Sequence, residues 1–471
     1  MDKTVLLPIF ISAALILSRG YSWAFCTFYI PLMVMVPTYL HYDGPGVPPI
    51  TFYLAAFIPF LFQKQIMQAA LDDFHWLDLF VYFYSFCVAM SELVNESLSS
   101  ARQMVFLDAF YQIGPYLAMK WIVLRGKRGD KVVTQYVGVL VLVAVISLYE
   151  FRMGQNPFMR IRDIWPVYDT GMGGVFVYPR WGFFRIQGPF VHSIICALAY
   201  TMMWPMAMWA AQSGVYKSKF KGMAYVFWCW WGLMMTMSRG PMIGGYLAAG
   251  LYVMGQSKFR IQLFAAAAFF AALMSIPASF KISEYMSLTR ETAKSESQET
   301  VIYRKDLIFN YVEKIQERPW LGYGFLNLPQ VGDQKSIDNA YLLIGLNWGV
   351  GPVLAMLVLG LGSILAMAKV GFSSRTHEKP RKLCWALIGG IAGTHFTIAT
   401  VYHAYPTNTM YFMWIGWAAA LLTANKRGLL KKEVYEAELV PNEPSEEAEG
   451  DSPKQEGAPA KPTKEPSMVI L

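Results

Sequence analysis

Apolar residues fall into blocks of about 14–29 positions separated by short polar or basic breaks, and this continues to about residue 425. A helix rises about 1.5 Å per residue, so a block near 20 residues crosses about 30 Å of hydrocarbon. In lipid each backbone N–H and C=O must be paired within the segment, which leaves the helix as the form such blocks take. The blocks lie at about 5–18, 21–40, 50–63, 77–94, 104–124, 132–149, 189–210, 221–237, 240–254, 260–278, 340–368, 383–401 and 405–424. They predict an all-α fold: a polytopic transmembrane bundle of about 12–13 spans, with residues 1–425 as one membrane domain. Two of the first three blocks are short, which predicts a re-entrant or interfacial segment among them. Composition agrees: 55% of the 471 residues are hydrophobic and 15% charged, against roughly 25% charged in soluble domains.

The net charge of +8 is explained by where the cations lie. Arg125, Lys127, Arg128 and Lys131 fill one break. Lys217, Lys219 and Lys221 fill another, and Lys258 and Arg260 a third. Lys369, Arg375, Lys379, Arg381 and Lys382 fill a fourth, and Lys426, Arg427, Lys431 and Lys432 follow the last block. From the fifth block onward these breaks recur at every second connection, the pattern of short cytoplasmic loops. No nucleic-acid partner is needed to account for them. The expected location is a bacterial inner membrane, with the remaining loops facing outward. Residues 426–471 form a cytoplasmic tail rich in Glu, Pro, Ser, Lys and Ala that is expected to be disordered.

The five cysteines sit in or beside apolar blocks and form no CxxC pair, so neither a disulfide framework nor a metal site is expected. No cofactor is expected. The first block has Lys3 before it but no clear small-residue cleavage site, and reads as a retained segment.

Two outward loops are long, at about 150–188 and 279–339. The first carries Arg152, Arg160, Arg162, Arg180 and Arg185 and no lysine. Guanidinium is a planar donor fork suited to phosphate oxygens, although outward loops also tolerate arginine as surface charge. The second loop contains Glu299–Glu317, whose Ile308, Tyr311, Val312 and Ile315 recur at helical spacing. They predict an amphipathic helix lying on the membrane or packed on the bundle.

Four short segments carry the chemically informative residues. Arg185-Ile-Gln-Gly-Pro-Phe-Val-His192 closes the first loop, and Ser238-Arg239-Gly240-Pro241 opens a block. Tyr303-Arg304-Lys305-Asp306 lies on the loop helix. Pro319-Trp-Leu-Gly322-Tyr-Gly324 precedes Ser336-Ile-Asp338-Asn339-Ala-Tyr341. Each has a structural explanation. Arg239 can snorkel, Ser238 or Asp338 or Ser336 can cap a helix, the glycines can supply a turn, and His192 can be a hydrogen-bonded helix residue. Taken together they put three arginines (Arg185, Arg239, Arg304) and one carboxylate at a single membrane face, where unpartnered charge is costly and marks a substrate path. A diphosphate held in the outer leaflet accounts for three arginines, with Asp338 as a base.

These segments resemble the O-antigen ligase and polymerase superfamily. The shared elements are Arg185, Ser238-Arg239-Gly240, Pro319-Trp-Leu-Gly322-Tyr-Gly324 and Asp338-Asn339-Ala-Tyr-Leu342, and the resemblance covers about residues 180–345. Ligases of that superfamily carry a histidine where this chain has Asp338, and the segments look more like its exopolysaccharide polymerases. The resemblance implies a GT-C-like, metal-independent, inverting glycosyltransferase. Its donor would be an undecaprenyl-diphosphate-linked oligosaccharide, transferred at the periplasmic face onto a lipid-linked repeat unit. Arg185, Arg239 and Arg304 would bind the diphosphate, Arg239 and Asp338 would be catalytic, and His192, Asn339, Tyr303 and Tyr341 would be secondary site residues. Implied partners are the membrane lipid, a flippase and chain-length regulator proteins. The alternatives are ligase-type transfer to lipid A-core or protein, and a flippase or transporter of lipid-linked saccharides.

Overall fold

The computed structural model describes residues 3–44, 47–161, 179–287, 296–331 and 337–437. The anticipated blocks are helices. In chain order these begin with α1 (Leu7–Arg19) and α2 (Tyr21–Met35). A hairpin of β1 (His41–Gly44) and β2 (Val47–Thr51) follows. Next come α3 (Phe52–Leu61), α4 (Lys64–Asp72), α5 (Trp76–Asn95), α6 (98–124) and α7 (Gly129–Met153). After the first long loop come α8 (Ser193–Gln212), α9 (Lys219–Met235), α10 (Arg239–Gln256) and α11 (Arg260–Ser287). The second loop holds α12 (Glu296–Glu317). The last elements are α13 (Ala340–Trp348), α14 (Val350–Phe372), α15 (Glu378–Ile398), α16 (Thr407–Lys426) and α17 (Lys432–Ala437).

Four of these, α5, α7, α8 and α14, are each long and apolar enough to cross a membrane, and α3 with α4 forms a fifth candidate bent by 75°. The chain is a multi-pass membrane protein. The larger count of twelve or thirteen rests on helices that are shorter or more polar, such as α9 and α16, packed in the same bundle.

Three departures from the sequence reading have local causes. The hairpin was not anticipated; its strands pair His41 with Thr51 and Gly44 with Val47, and it ends on Thr51, whose hydroxyl accepts from Leu54 N and caps α3. The block at 340–368 is broken: Gly349 (φ +82°) separates α13 from α14, and a Cβ there would lie 2.4 Å from the Trp320 carbonyl oxygen. Order also extends past residue 425. Leu430 is buried, its carbonyl accepts from His377 N, and Lys431 bridges to Thr376. The rest of the expected tail, 438–471, lies outside the described residues.

The basic breaks meet at one end. Asp73 pairs with Arg125 and Arg427, each at 2.6 Å, and Lys379 with Asp130 at 2.8 Å. Successive long helices run between this basic end and the opposite end, where the described parts of both long loops lie. α16 is buried along nearly its whole length and packs closely on the 114–124 part of α6, where a Cβ on Gly416 would meet the Tyr116 carbonyl at 2.2 Å; α8 is likewise buried over most of its length. α10 packs on α15 through small residues. A Cβ on Gly389 would meet the Ala248 carbonyl at 2.3 Å, and one on Gly393 the Gly244 carbonyl at 2.5 Å. Such close backbone approach is how helices associate in lipid, and it fixes the start of α10 against the end of α15.

Candidate active site

At the end opposite the basic one, the segment after α15 is the common wall of the site. Asn339 Nδ2 donates to Ala399 O at 2.8 Å, and Ala340 N donates to Val401 O at 3.1 Å. On the α10 side, a Cβ on Gly240 would lie 2.7 Å from Thr400 Oγ1. The His192 and Tyr402 rings are 6.4 Å apart. Residues 399–402 therefore touch the starts of α8, α10 and α13, which carry His192, Arg239 and Asp338.

Asp338 stands just outside the cap of α13. Asn339 is that cap: its Oδ1 accepts from Tyr341 N at 3.0 Å and Leu342 N at 3.1 Å. With its Nδ2 on Ala399, all of its fixed geometry is structural. Asp338 is exposed and has no hydrogen bond or ion pair among the described residues. Its charge reaches both His192 and Tyr402. Ser336, the other cap candidate, lies outside the described residues.

Arg239 is the first residue of α10, exposed and without a partner among the described residues. Ser238 precedes it but does not cap the helix. Its hydroxyl donates to Thr236 O at 3.2 Å and accepts from Arg185 Nη2 at 2.7 Å. The N–H groups of Arg239 and Gly240 are thus left open at the positive end of an 18-residue helix, beside a guanidinium. Backbone donors and dipole together make such an end receptive to phosphate.

Arg185 is half-buried. Its Nε donates to Thr236 O at 3.0 Å, so one edge of the fork is tied to the break between α9 and α10. Arg180 Nη1 donates to Met237 O at 2.7 Å. Met237 is itself in the left-handed region, φ +49°, so this break is strained and held by two arginines. Burial, and then the Arg180 charge, hold the Arg185 guanidinium down to about 10. It keeps its charge at neutral pH and has donors to spare.

His192 caps α8 through Nδ1, which accepts from Ile194 N at 3.1 Å, so the neutral ring carries its proton on Nε2. Burial holds its pKa below the ordinary value; Arg185 pushes the same way and Asp338 opposes. Tyr341 is directed away from the wall, with its hydroxyl 2.5 Å from His395 Nδ1; His395 Nε2 is 2.9 Å from the Tyr411 hydroxyl. The backbones of Tyr303 and Arg304 lie on α12, which rests on α13 through Leu307, Tyr311, Leu342 and Leu346. Their side chains lie outside the described residues, as does all of Arg162. On α12 the buried stripe is Leu307 and Tyr311 with Ile315 packed beside them. Ile308 and Val312, expected on the same face, are exposed because they fall one position past it.

Three contributors were not found in the sequence. Glu150, at the end of α7, accepts from Gln187 N and Gly188 N, each at 2.9 Å. That clasp bends the Arg185–His192 segment at Gly188 (φ +58°), where a Cβ would lie 3.0 Å from Val143 Cγ1. The 399–402 wall was read as the end of a span; its signal is the polar and aromatic run Thr400-Val-Tyr402-His403. The third is the role of the Pro319–Gly324 motif. Tyr323 N and Gly324 N donate to Leu346 O and Asn347 O at 2.8 Å, and Ser91 and Asn95 both donate to Leu321 O. Glu92, fully buried, accepts from Phe325 N at 2.9 Å and Trp348 Nε1 at 2.8 Å. A Cβ on Gly322 (φ +58°) would meet Leu346 O at 2.5 Å. The motif stitches the base of the second loop to α5 and α13.

None of the curated proteins matches the chain. Residues 224–359, which include Ser238, Arg239, Gly322, Gly324, Asp338, Asn339 and Tyr341, are similar to the family described as O-antigen ligase.

Proposed function

We propose that this chain is a membrane glycosyltransferase that polymerises lipid-diphosphate-linked saccharides, working at the outer face of a bacterial inner membrane. The similarity over residues 224–359 supports a role in assembling O-antigen or a related polysaccharide. The observation that carries the reading is one pair of side chains. Arg239, unpartnered among the described residues, stands at the uncapped start of α10. Asp338, equally unpartnered, stands outside the cap of α13, and both starts rest on residues 399–402.

The donor diphosphate lies against Arg239, the open N–H groups of α10 and the free edge of Arg185. The acceptor hydroxyl oxygen attacks the anomeric carbon as its proton passes to the Asp338 carboxylate. The bond from that carbon to the phosphate oxygen breaks on the opposite side, and the electron pair leaves with the diphosphate. The configuration at the anomeric carbon inverts. A positioned base of this kind contributes roughly 10²–10⁴ in rate, and each donor aimed at the growing negative charge roughly 10²–10³. Arg304, on α12, is assigned to the donor as well.

The family description favours a second reading, transfer of the finished chain to a foreign acceptor such as lipid A-core or protein. Purified protein supplied with a single lipid-linked oligosaccharide decides between them. Polymerisation gives a ladder of longer lipid-linked products. Product only when a foreign acceptor is added means ligation, and no product with any acceptor removes both.

A further inference from the structure

The basic end holds a second cluster of cations that the transfer reaction does not use. A cavity of about 350 Å³ opens where α1, α2, α4, α6 and α7 meet, lined among others by Arg19, Tyr21, Gln65, Trp121, Arg128 and Lys131. Trp23 lines it too, with Lys131 Nζ 5.6 Å and the Arg19 guanidinium 5.9 Å from its ring centre.

The charges here are not balanced. The nearby carboxylates are engaged elsewhere: Asp73 with Arg125 and Arg427, Asp72 with Arg125, and Asp130 with Lys379. Among the described residues none pairs with Arg19, Arg128 or Lys131.

We infer that this cavity binds the headgroup of an anionic glycerophospholipid, with its phosphate among Arg19, Arg128 and Lys131. The phosphate oxygens accept from these three cations and neutralise them. A lipid is favoured over a soluble anion because the site sits where the apolar helix α1 ends and α2 begins, flanked by Trp23 and Trp121, residues typical of the headgroup level. Basic pockets between helices on the cytoplasmic side are suited to such headgroups. The site is at the opposite end from Arg239 and Asp338 and stands independently of the transfer reaction.

The test uses the full chain in detergent, with bound lipid followed by native mass spectrometry. Phosphatidylglycerol is titrated against phosphatidylcholine, and inorganic phosphate is added as a competitor. Phosphatidylglycerol is expected to be retained preferentially, and Arg128→Gln with Lys131→Gln to weaken it roughly fivefold per cation removed. Equal retention of the two lipids, or undiminished binding in the double variant, would overturn the site. Full displacement by inorganic phosphate at concentrations comparable to the lipid would overturn its assignment to a lipid.

Discussion

Replacing Asn339 separates the two jobs its side chain performs. In Asn339→Ala the Oδ1 acceptor for Tyr341 N and Leu342 N is lost, and so is the Nδ2 donor to Ala399 O. Losing a helix cap costs about 1 kcal/mol and a net hydrogen bond about another. The start of α13 is therefore weakened by about 2 kcal/mol, which a nine-residue helix cannot absorb without fraying. Asn339→Ser restores a capping oxygen and leaves the Ala399 carbonyl without its donor, halving the loss to about 1 kcal/mol. Since Asp338 is positioned only through its neighbour, displacement by about 1 Å is expected to lower transfer on the order of 10²-fold in Asn339→Ala. Asn339→Ser is expected to fall between that variant and the parent. The assays are transfer of a lipid-linked oligosaccharide at saturating donor and thermal unfolding in the same detergent. Full activity with an unchanged unfolding midpoint in Asn339→Ala would refute the reasoning, because Asp338 would then be held by something other than this cap.

Four further outcomes are expected. Asp338→Asn keeps donor binding and folding and loses roughly 10²–10⁴ of the transfer rate; a normal rate takes Asp338 out of the mechanism. Arg239→Lys keeps the charge and loses the fork, so turnover falls, by no more than the roughly 10²–10³ of removing a donor outright; wild-type turnover would mean that Arg239 is only an interface anchor. Glu150→Gln leaves one of the Gln187 and Gly188 N–H groups facing an amide donor, which destabilises by about 2 kcal/mol and raises the KM for the donor by loosening Arg185; unchanged melting and KM together would count against the clasp. His192 is held below its ordinary pKa of 6.5, so its contribution to stability is complete above that value and declines as the pH drops from there through its lower folded value. His192→Asn keeps a capping side chain, and the unfolding midpoint of the variant should fall less than the parent's between pH 7 and pH 5.

The helices were legible in the sequence because hydrophobic length dictates them, and the basic breaks were legible because cations must stay out of lipid. What the apolar pattern could not carry was any interruption that costs no hydrophobicity. Gly349 breaks a block without introducing a polar residue, and the loop after α15 looks like a span end because Val401 and Tyr402 continue its apolar run. In the site, the residue types were legible and their division of labour was not. Ser238, Asp338 and Ser336 all read equally well as caps; only the structure shows that Ser238 turns to Arg185 and that Asn339, which was not read as a cap, closes the helix. Glu150 and Glu92 went unnoticed because a single carboxylate at a span end resembles any surface acid, whereas each is sequestered against backbone N–H groups of a distant loop.

If Asp338 is the proposed base, the cap of α13 has a consequence for how such a site can diverge. The start of α13 is held by the Asn339 side chain and by Ala340 N on Val401 O, while the Asp338 side chain has no hydrogen bond or ion pair among the described residues, so position 338 carries no folding duty there. An imidazole or a carboxylate installed there meets the same wall, the same neighbouring tyrosine and the same open helix start. A single codon change can then exchange one proton acceptor for another while the scaffold stays intact, and preference for one nucleophile over another becomes free to drift.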